Sequence, residues 1–241
     1  SEGYKRVPEH PEVRDGDSVV VIGAGGPMGQ MHVIRNICSG RSDLSVTATD
    51  LDDTRLRALA RKCEALAAAN NVMLRMVNTK SEQLDDTFSY WALIAPISVL
   101  VEQAIAGSKP NALINIFAGI PAPVKHDLDL DIYIANGLYM FGTSGSTISD
   151  MKIVLQKVTD GQLNTNTSVD AISGMAGATG GIDAVKNRTM AGKIIVYPQL
   201  HDMGLIPLSQ LAEHFPTVAA KLNDGQWCSE AEAELLKTAS A

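Results

Sequence analysis

Seven residues, Gly23-Ala-Gly-Gly-Pro-Met-Gly29, follow directly on the apolar run Ser18-Val-Val-Val-Ile22, and no other feature restricts the fold so strongly. A short β-branched run of this kind reads as a strand covered on both faces. Behind the glycines, Met31, Ile34 and Cys38 recur at helical spacing, so the glycines form a turn between a strand and a helix. Glycine in such a turn permits a tight bend and lets backbone N–H groups approach a pyrophosphate, whose charge is stabilised at the helix amino terminus. The usual spacing is G-x-G-x-x-G. Here Gly23, Gly25 and Gly29 stand one residue further apart, and Gly23, Gly26 and Gly29 also depart from it.

The rest of the chain repeats the strand-helix alternation, which is the pattern of a parallel sheet. Strands are expected at 45–49, 72–77, 91–95, 112–117 and 138–141, with Lys109-Pro110-Asn111 breaking the chain before the fifth of the six. Leu56, Leu59, Cys63 and Leu66 mark one helix, and Ile97, Leu100, Val101, Ala104 and Ile105 the next. A further helix, capped by Ser149, would bury Met151, Val154, Leu155 and Val158. Six strands with intervening helices predict an α/β fold, a doubly wound Rossmann sheet. The polar and glycine-rich stretch 160–178 reads as loop with a short strand at 169–172, followed by a helix at 182–190 and a strand at 193–197. Beyond Pro198, Pro207-Leu-Ser-Gln-Leu211 and Ser229-Glu-Ala-Glu232 look like helix starts. The expected organisation is a lead-in at 1–17, a dinucleotide-binding domain at 18–197 and a small helical appendage at 198–241.

Asp50 closes the second strand 21 positions after Gly29, where dinucleotide-binding folds place an acid to bond the adenosine ribose hydroxyls. The alternative for Asp50 is a helix cap or a solvated turn acid. Asp52 and Asp53 add negative charge beside the ribose 2′ position. A 2′-phosphate there would meet repulsion on the order of a few kcal/mol at an effective dielectric near 20. NAD is therefore expected over NADP, with Arg55 as the counter-argument, since it could pair with a phosphate.

A formal net charge of −7 over 241 residues speaks against an electrostatic grip on nucleic acid or anionic lipid, which needs clustered Lys and Arg. The expected partner is a small molecule or another protein. Cys38, Cys63 and Cys228 are too few and too scattered for a disulfide framework, so a reducing cytoplasm fits. No run approaches the ~20 apolar residues of a membrane span, and residues 1–17 show no signal-peptide core.

From about Asp15 to Tyr197 the chain resembles the cofactor domain of the medium-chain, zinc-type alcohol and polyol dehydrogenases. The resemblance is carried by G-D-S-V-V-V-I-G-A-G-G-P-M-G, V-T-A-T-D-L-D-D-T-R-L, I-F-A-G-I and A-G-K-I-I-V-Y. The stretch Met140 to Met151 is most similar to sorbitol dehydrogenase and sorbose-1-phosphate reductase relatives. The resemblance implies hydride transfer between a nicotinamide cofactor and an alcohol, polyol or sugar phosphate. It implies that Gly23, Gly25, Gly26, Pro27, Met28 and Gly29 face the pyrophosphate and Asp50 the adenosine ribose. Ala95 and Pro96 would lie beside the riboses, and Ala118, Gly119, Thr143 and Ser144 would flank the nicotinamide. Association into a homo-oligomer through the cofactor domain is expected on the same ground.

The departure from that family is a barrel-like amino-terminal domain carrying zinc ligands, which does not precede Ser18. His10, His32, His126, His201 and His214 stand apart, and no three ligands gather as a catalytic zinc site requires. No catalytic residue and no metal ligand is assigned, and zinc is expected only in a domain this sequence does not contain. Cys38 and Cys63 read as core packing, His32 as a packing or surface histidine, and His201-Asp202 as a surface turn. Two functions stay open: the cofactor half of a dehydrogenase, or a dinucleotide-binding sensor or subunit without chemistry of its own.

Overall fold

The computed structural model describes residues 12–142 and 145–239, which divide into two compact units between Leu163 and Asn164. In the first unit six strands form one parallel sheet: β1 (Ser18–Ile22), β2 (Ser45–Asp50), β3 (Met73–Asn78), β4 (Phe88–Leu93), β5 (Ser108–Ile116) and β6 (Tyr139–Phe141), in the order β3-β2-β1-β4-β5-β6. The expected doubly wound α/β fold is present. Its helices are α1 (Pro27–Ile37), α2 (Asp53–Ala69), α3 (Val99–Ala106), α4 (Leu130–Ala135) and α5 (Ile148–Thr159).

The side-chain period of a strand divides the core in two. Val19 and Val21 pack with Val33, Ile34 and Ile37 of α1 and Leu59 and Cys63 of α2, whereas Val20 and Ile22 pack with Val101, Ala104 and Ile105 of α3. Both faces of β1 are thus buried, as its unbroken apolar run requires. The strand order reverses between β1 and β4, and the crevice beyond the carboxyl ends of those two strands is where open α/β sheets bind ligands.

Several local expectations shift. The buried face of α1 runs through Gln30, Val33, Ile34 and Ile37, not through Met31. Lys109-Pro110-Asn111 does not break the chain but lies inside β5 as a bulge, where the register moves from Phe88↔Ser108 to Tyr90↔Leu113. Asn111 there takes φ +61°, and an irregular segment of this kind is where a sheet tolerates proline. The cap of α5 is Thr147, not Ser149: its hydroxyl accepts from the Asp150 N–H while the Asp150 carboxylate accepts from the Thr147 N–H. Met151, Val154, Leu155 and Val158, expected inside, are all exposed on α5.

The second unit has a three-stranded sheet of its own, in the order β8-β7-β9, from β7 (Val169–Ser173), β8 (Lys193–Val196) and β9 (Leu205–Pro207). β8 runs parallel to β7 and β9 antiparallel to it. The strands expected at 169–172 and 193–197 therefore pair with each other. With them are α6 (Met175–Lys186), α7 (Leu211–His214), α8 (Pro216–Ala219) and α9 (Ser229–Ala239), around a core of Ile172, Leu211, Trp227 and Leu235. The Trp227 indole N–H donates to the Tyr197 hydroxyl at 3.1 Å.

Helix α6 starts at Met175, seven residues before the expected 182, so its first turn lies in the stretch expected as loop. A Cβ on Gly177 would strike the backbone of Gly204 and Leu205, so glycine there permits close packing of the helix. No helix among the described residues is long and apolar enough to cross a membrane.

Candidate cofactor site

Ile22 ends β1, and Gly23 turns the chain with φ +85°, a conformation that favours glycine. The Gly23 and Ala24 N–H groups both donate to the Thr49 carbonyl, at 3.0 and 2.7 Å, so the turn is tied to the neighbouring strand. Pro27 begins α1, where its missing N–H costs nothing. The first intrahelical bond runs from Gln30 N–H to Gly26 O, which leaves Gly26, Met28 and Gly29 as the donors at the helix start.

The four glycines of the turn have different surroundings. A Cβ on Gly26 would meet nothing within 4 Å, so the face of the loop at the helix start is open. A Cβ on Gly29 would strike the Gly23 carbonyl and come within 2.5 Å of Ala24 Cα, so Gly29 seats the helix against the turn. A Cβ on Gly25 would lie 2.6 Å from Asp50 Oδ2 and 2.8 Å from Arg55 Cβ. Gly25 thus makes room for Asp50, and the space at its Cα is filled by protein instead of standing open for phosphate.

Asp50 is partly buried at the end of β2. Its Oδ2 accepts from Gly25 N–H at 2.9 Å, and its Oδ1 from Leu51 N–H at 2.8 Å and Asp52 N–H at 3.2 Å. A carboxylate has about four lone-pair positions. Asp52 is the helix cap: it accepts from the Thr54 and Arg55 N–H groups at the start of α2, and these bonds hold its carboxyl below the ordinary range. Asp53 accepts from the Asn78 amide at 2.7 Å.

Register brings the remaining strand ends to the same edge. Ile22 pairs with Leu93 and Leu93 with Ile116, so Ala95 and Pro96 after β4, and Ala118 and Gly119 after β5, lie along the edge that carries the glycine turn. The Ala95 N and Cβ are 3.4 and 3.5 Å from where a Gly23 Cβ would stand. Ala118 N–H donates to the Leu93 carbonyl at 2.9 Å. Thr143 and Ser144 lie outside the described residues.

A buried glutamine, not among the residues expected at the site, supports the loop from below. Gln30, fully buried in α1, donates from its amide to the Gly25 carbonyl at 3.4 Å and accepts from Lys62 of α2 at 3.1 Å. The available signal was a glutamine at the helix position right behind Gly29. His32 donates from Nδ1 to the Met28 carbonyl at 2.9 Å and meets Phe117 edge-on, ring centroids 4.7 Å apart. A carbonyl only accepts, so Nδ1 carries the proton and Nε2 is an acceptor. Burial pushes the His32 imidazole below its ordinary value, which favours the neutral ring. Cys38 and Cys63 are buried in the core, and burial pushes the Cys63 thiol up to about 12. His201 and Asp202 are exposed in a turn. Among the described residues no group of three or more His, Cys, Asp or Glu side chains could hold a metal ion.

The second glycine-opened helix start, at α6, offers a contrast. There Gly174 N–H and Gly177 N–H donate to Met203 O, Met175 N–H to Leu200 O and Ala176 N–H to His201 O. Loop carbonyls occupy the donors that the first turn leaves.

No family model matches the sequence. The chain is 27% identical over 255 residues to the protein YggP of Escherichia coli K12, covering 93% of the chain and 57% of that relative. It is 25% identical over 249 residues to mannitol-1-phosphate 5-dehydrogenase of Aliivibrio fischeri, again covering 93% of the chain and 57% of the relative. The chain thus spans little more than half the length of the curated relatives it matches. In fold it is similar to acetophenone reductase from Geotrichum candidum, solved in complex with NAD (TM-score 0.59, 20% identity, 77% of this chain and 49% of that one). It is likewise similar to 2R,3R-butanediol dehydrogenase from Bacillus subtilis (TM-score 0.61, 14% identity, 81% and 55%). An L-idonate 5-dehydrogenase from Escherichia coli and a benzyl alcohol dehydrogenase from Acinetobacter calcoaceticus share the same fold with this chain.

Proposed function

We propose that this chain is the NAD(H)-binding part of a dehydrogenase that moves a hydride between the nicotinamide and an alcohol, polyol or sugar phosphate. The observation that carries the reading is the open helix start at Gly26, with the donors of Gly26, Met28 and Gly29, beside the Asp50 carboxylate at the switch point of the sheet. These residues fit a dinucleotide: an anionic pyrophosphate gains from backbone N–H groups and the helix dipole, and a carboxylate accepts from ribose hydroxyls. Gly23, Pro27 and Ala95 shape the floor, Gly25 admits Asp50, and Pro96, Ala118, Gly119, Thr143 and Ser144 are assigned to the nicotinamide end. When bound, the cofactor supplies or takes up the hydride.

NAD is preferred over NADP in this reading, because the cluster of Asp50, Asp52 and Asp53 disfavours a 2′-phosphate. The similarity to sorbitol dehydrogenase and sorbose-1-phosphate reductase relatives, and to the mannitol-1-phosphate enzyme, supports a polyol or its phosphate as substrate. The catalytic zinc and the substrate-reading residues belong, on this proposal, to a further domain, for which the longer relatives have room. In this reading the six-stranded unit is the cofactor-binding part, residues 198–239 belong with β7 and β8 in the second unit, and the protein works as a homo-oligomer in the cytoplasm.

The test is a fluorescence titration of the chain with NADH and NADPH. Tighter NADH binding, reduced by Asp50→Ala far more than NADPH binding is, supports the proposal. Equal or tighter NADPH binding overturns the cofactor preference, and no binding of either overturns the function.

A further inference from the structure

On the α1 side of the sheet the first unit contains a cavity of about 340 Å³, with His32, which is bonded to the Met28 carbonyl, among its lining residues. Its floor is Tyr90 of β4 and Asn115 of β5, and its walls are α1, α5 and the segment at Glu12 and Val13. Asn115 is 8% exposed and donates to the Tyr90 hydroxyl at 3.5 Å, but its Oδ1 has no hydrogen-bond partner among the described residues. A buried acceptor left unpaired costs free energy that an apolar side chain of similar size would avoid. Above it, Arg35, Arg41 and Lys157 line the cavity, and Glu12, paired with Arg41 at 3.2 Å, is the one carboxylate among the lining residues. Burial, and then the nearby charge of Arg35, hold the Lys157 ammonium below its ordinary value. A protein with a net charge of −7 therefore gathers three cations around one carboxylate, over a buried acceptor that needs a donor.

We propose that this cavity is a binding site for a small hydroxylated oxyanion, a polyol phosphate or a hydroxy acid, with its anionic group on Arg35 and Lys157 and a hydroxyl donating to Asn115 Oδ1. The volume suits a ligand of a few carbons, with His32 Nε2 as a further acceptor at the rim. An anion here relieves the repulsion between Arg35 and Lys157, and its hydroxyl completes the hydrogen bonding of Asn115. The proposal is independent of the dinucleotide reading.

The test measures binding of sn-glycerol 3-phosphate, glycerate, inorganic phosphate and glycerol to the 241-residue chain by calorimetry and thermal shift. One of the two hydroxylated anions should bind at one site and raise the melting temperature in a saturable way, and which of them binds tighter distinguishes a phosphate ester from a carboxylate. Inorganic phosphate should bind more weakly and glycerol not at all. Arg35→Gln and Lys157→Gln should each weaken the anion at least about tenfold, as loss of a charge-assisted hydrogen bond does. Asn115→Leu should weaken the hydroxylated anion while leaving inorganic phosphate unchanged. Asp50→Ala should leave the response intact. Absence of saturable binding, binding unchanged in Lys157→Gln, inorganic phosphate matching the hydroxylated anions, or loss of the response in Asp50→Ala would each overturn the proposal.

Discussion

The backbone N–H of Gly25 donates to the carboxylate of Asp50 across 2.9 Å, joining the turn after β1 to the end of β2. The two sequence features that point to a dinucleotide are thus one hydrogen-bonded unit. Glycine is required at 25 because its partner acid stands where a side chain would go. Gly25→Ala should accordingly destabilise the fold by about 1–3 kcal/mol, the usual cost of overpacking, and weaken NADH binding together with it. Denaturant unfolding and NADH titration of the variant check both halves. A variant as stable as the parent would show that Asp50 swings away at no cost.

Gly26 and Gly29 should separate affinity from stability. Gly29→Ala puts a methyl group into the backbone of Gly23 and Ala24, which has little room to give, so its loss of stability should exceed that of Gly25→Ala. Gly26→Ala meets open space and should cost only about 1 kcal/mol or less as a helix cap, while its methyl group projects over the open loop and lowers NADH affinity. Melting temperatures and Kd values for the pair decide it. Equal effects on both quantities would remove the distinction.

How much of this was legible in the sequence depended on how local the cause is. The six strands, the glycine turn and the acid that ends the second strand follow from short-range periodicity, although β4 lies at 88–93 where 91–95 was expected and β5 begins at Ser108, ahead of the expected 112. Asp52 as cap of α2 belongs to the same local chemistry, but three successive acids at 50, 52 and 53 compete for one description until the backbone shows which is which. The second sheet was not legible, because a parallel strand such as 169–173 reads alike whichever sheet it joins, and β9 is only three residues long. The stripe on α5 has helical period, yet period does not say whether a partner covers it. Gln30 under the loop is a tertiary fact.

Alkaline solution should probe the core around Cys63. Burial raises its thiol to about 12 in the folded chain from an ordinary value of 9.0, so the folded state keeps a proton that the unfolded state releases. The stability this group contributes is complete below about pH 9 and declines as the pH climbs toward 12. Cys63→Ala should flatten that decline in denaturant unfolding measured from pH 8 upward. An unchanged slope would assign it to other groups, such as Tyr90, whose hydroxyl burial also pushes up.

Thiol titration gives a second reading of the same burial. In the native chain a thiol reagent should modify Cys228, which is partly exposed, quickly, and Cys38 and Cys63 only after denaturation. Fast native modification of Cys63 would mean that the packing of α2 on the sheet opens readily.

Acid should loosen the start of α2. The Asp52 carboxyl is held low by the Arg55 and Thr54 N–H groups, so its contribution is present above the ordinary carboxylate range and lost as the pH falls through the folded value. Asp52→Asn, which keeps a capping side chain, should reduce the acid sensitivity of unfolding while leaving neutral-pH stability nearly unchanged. Acid sensitivity equal to that of the parent would exclude this cap as its source.

The helix start at Gly174 shows what a glycine-rich turn becomes when the chain supplies its own oxygen atoms. A search for strand, glycine and helix would count two nucleotide sites in this sequence, yet a motif counts the donors a turn creates and not the donors it leaves unspent. At α6 the Leu200, His201 and Met203 carbonyls have already settled the matter, and the turn serves as a joint between two pieces of backbone. The difference is measurable amide by amide: exchange at Ala176 and Gly177 should be slow with or without nucleotide, whereas Met28 and Gly29 should slow only when NADH is added.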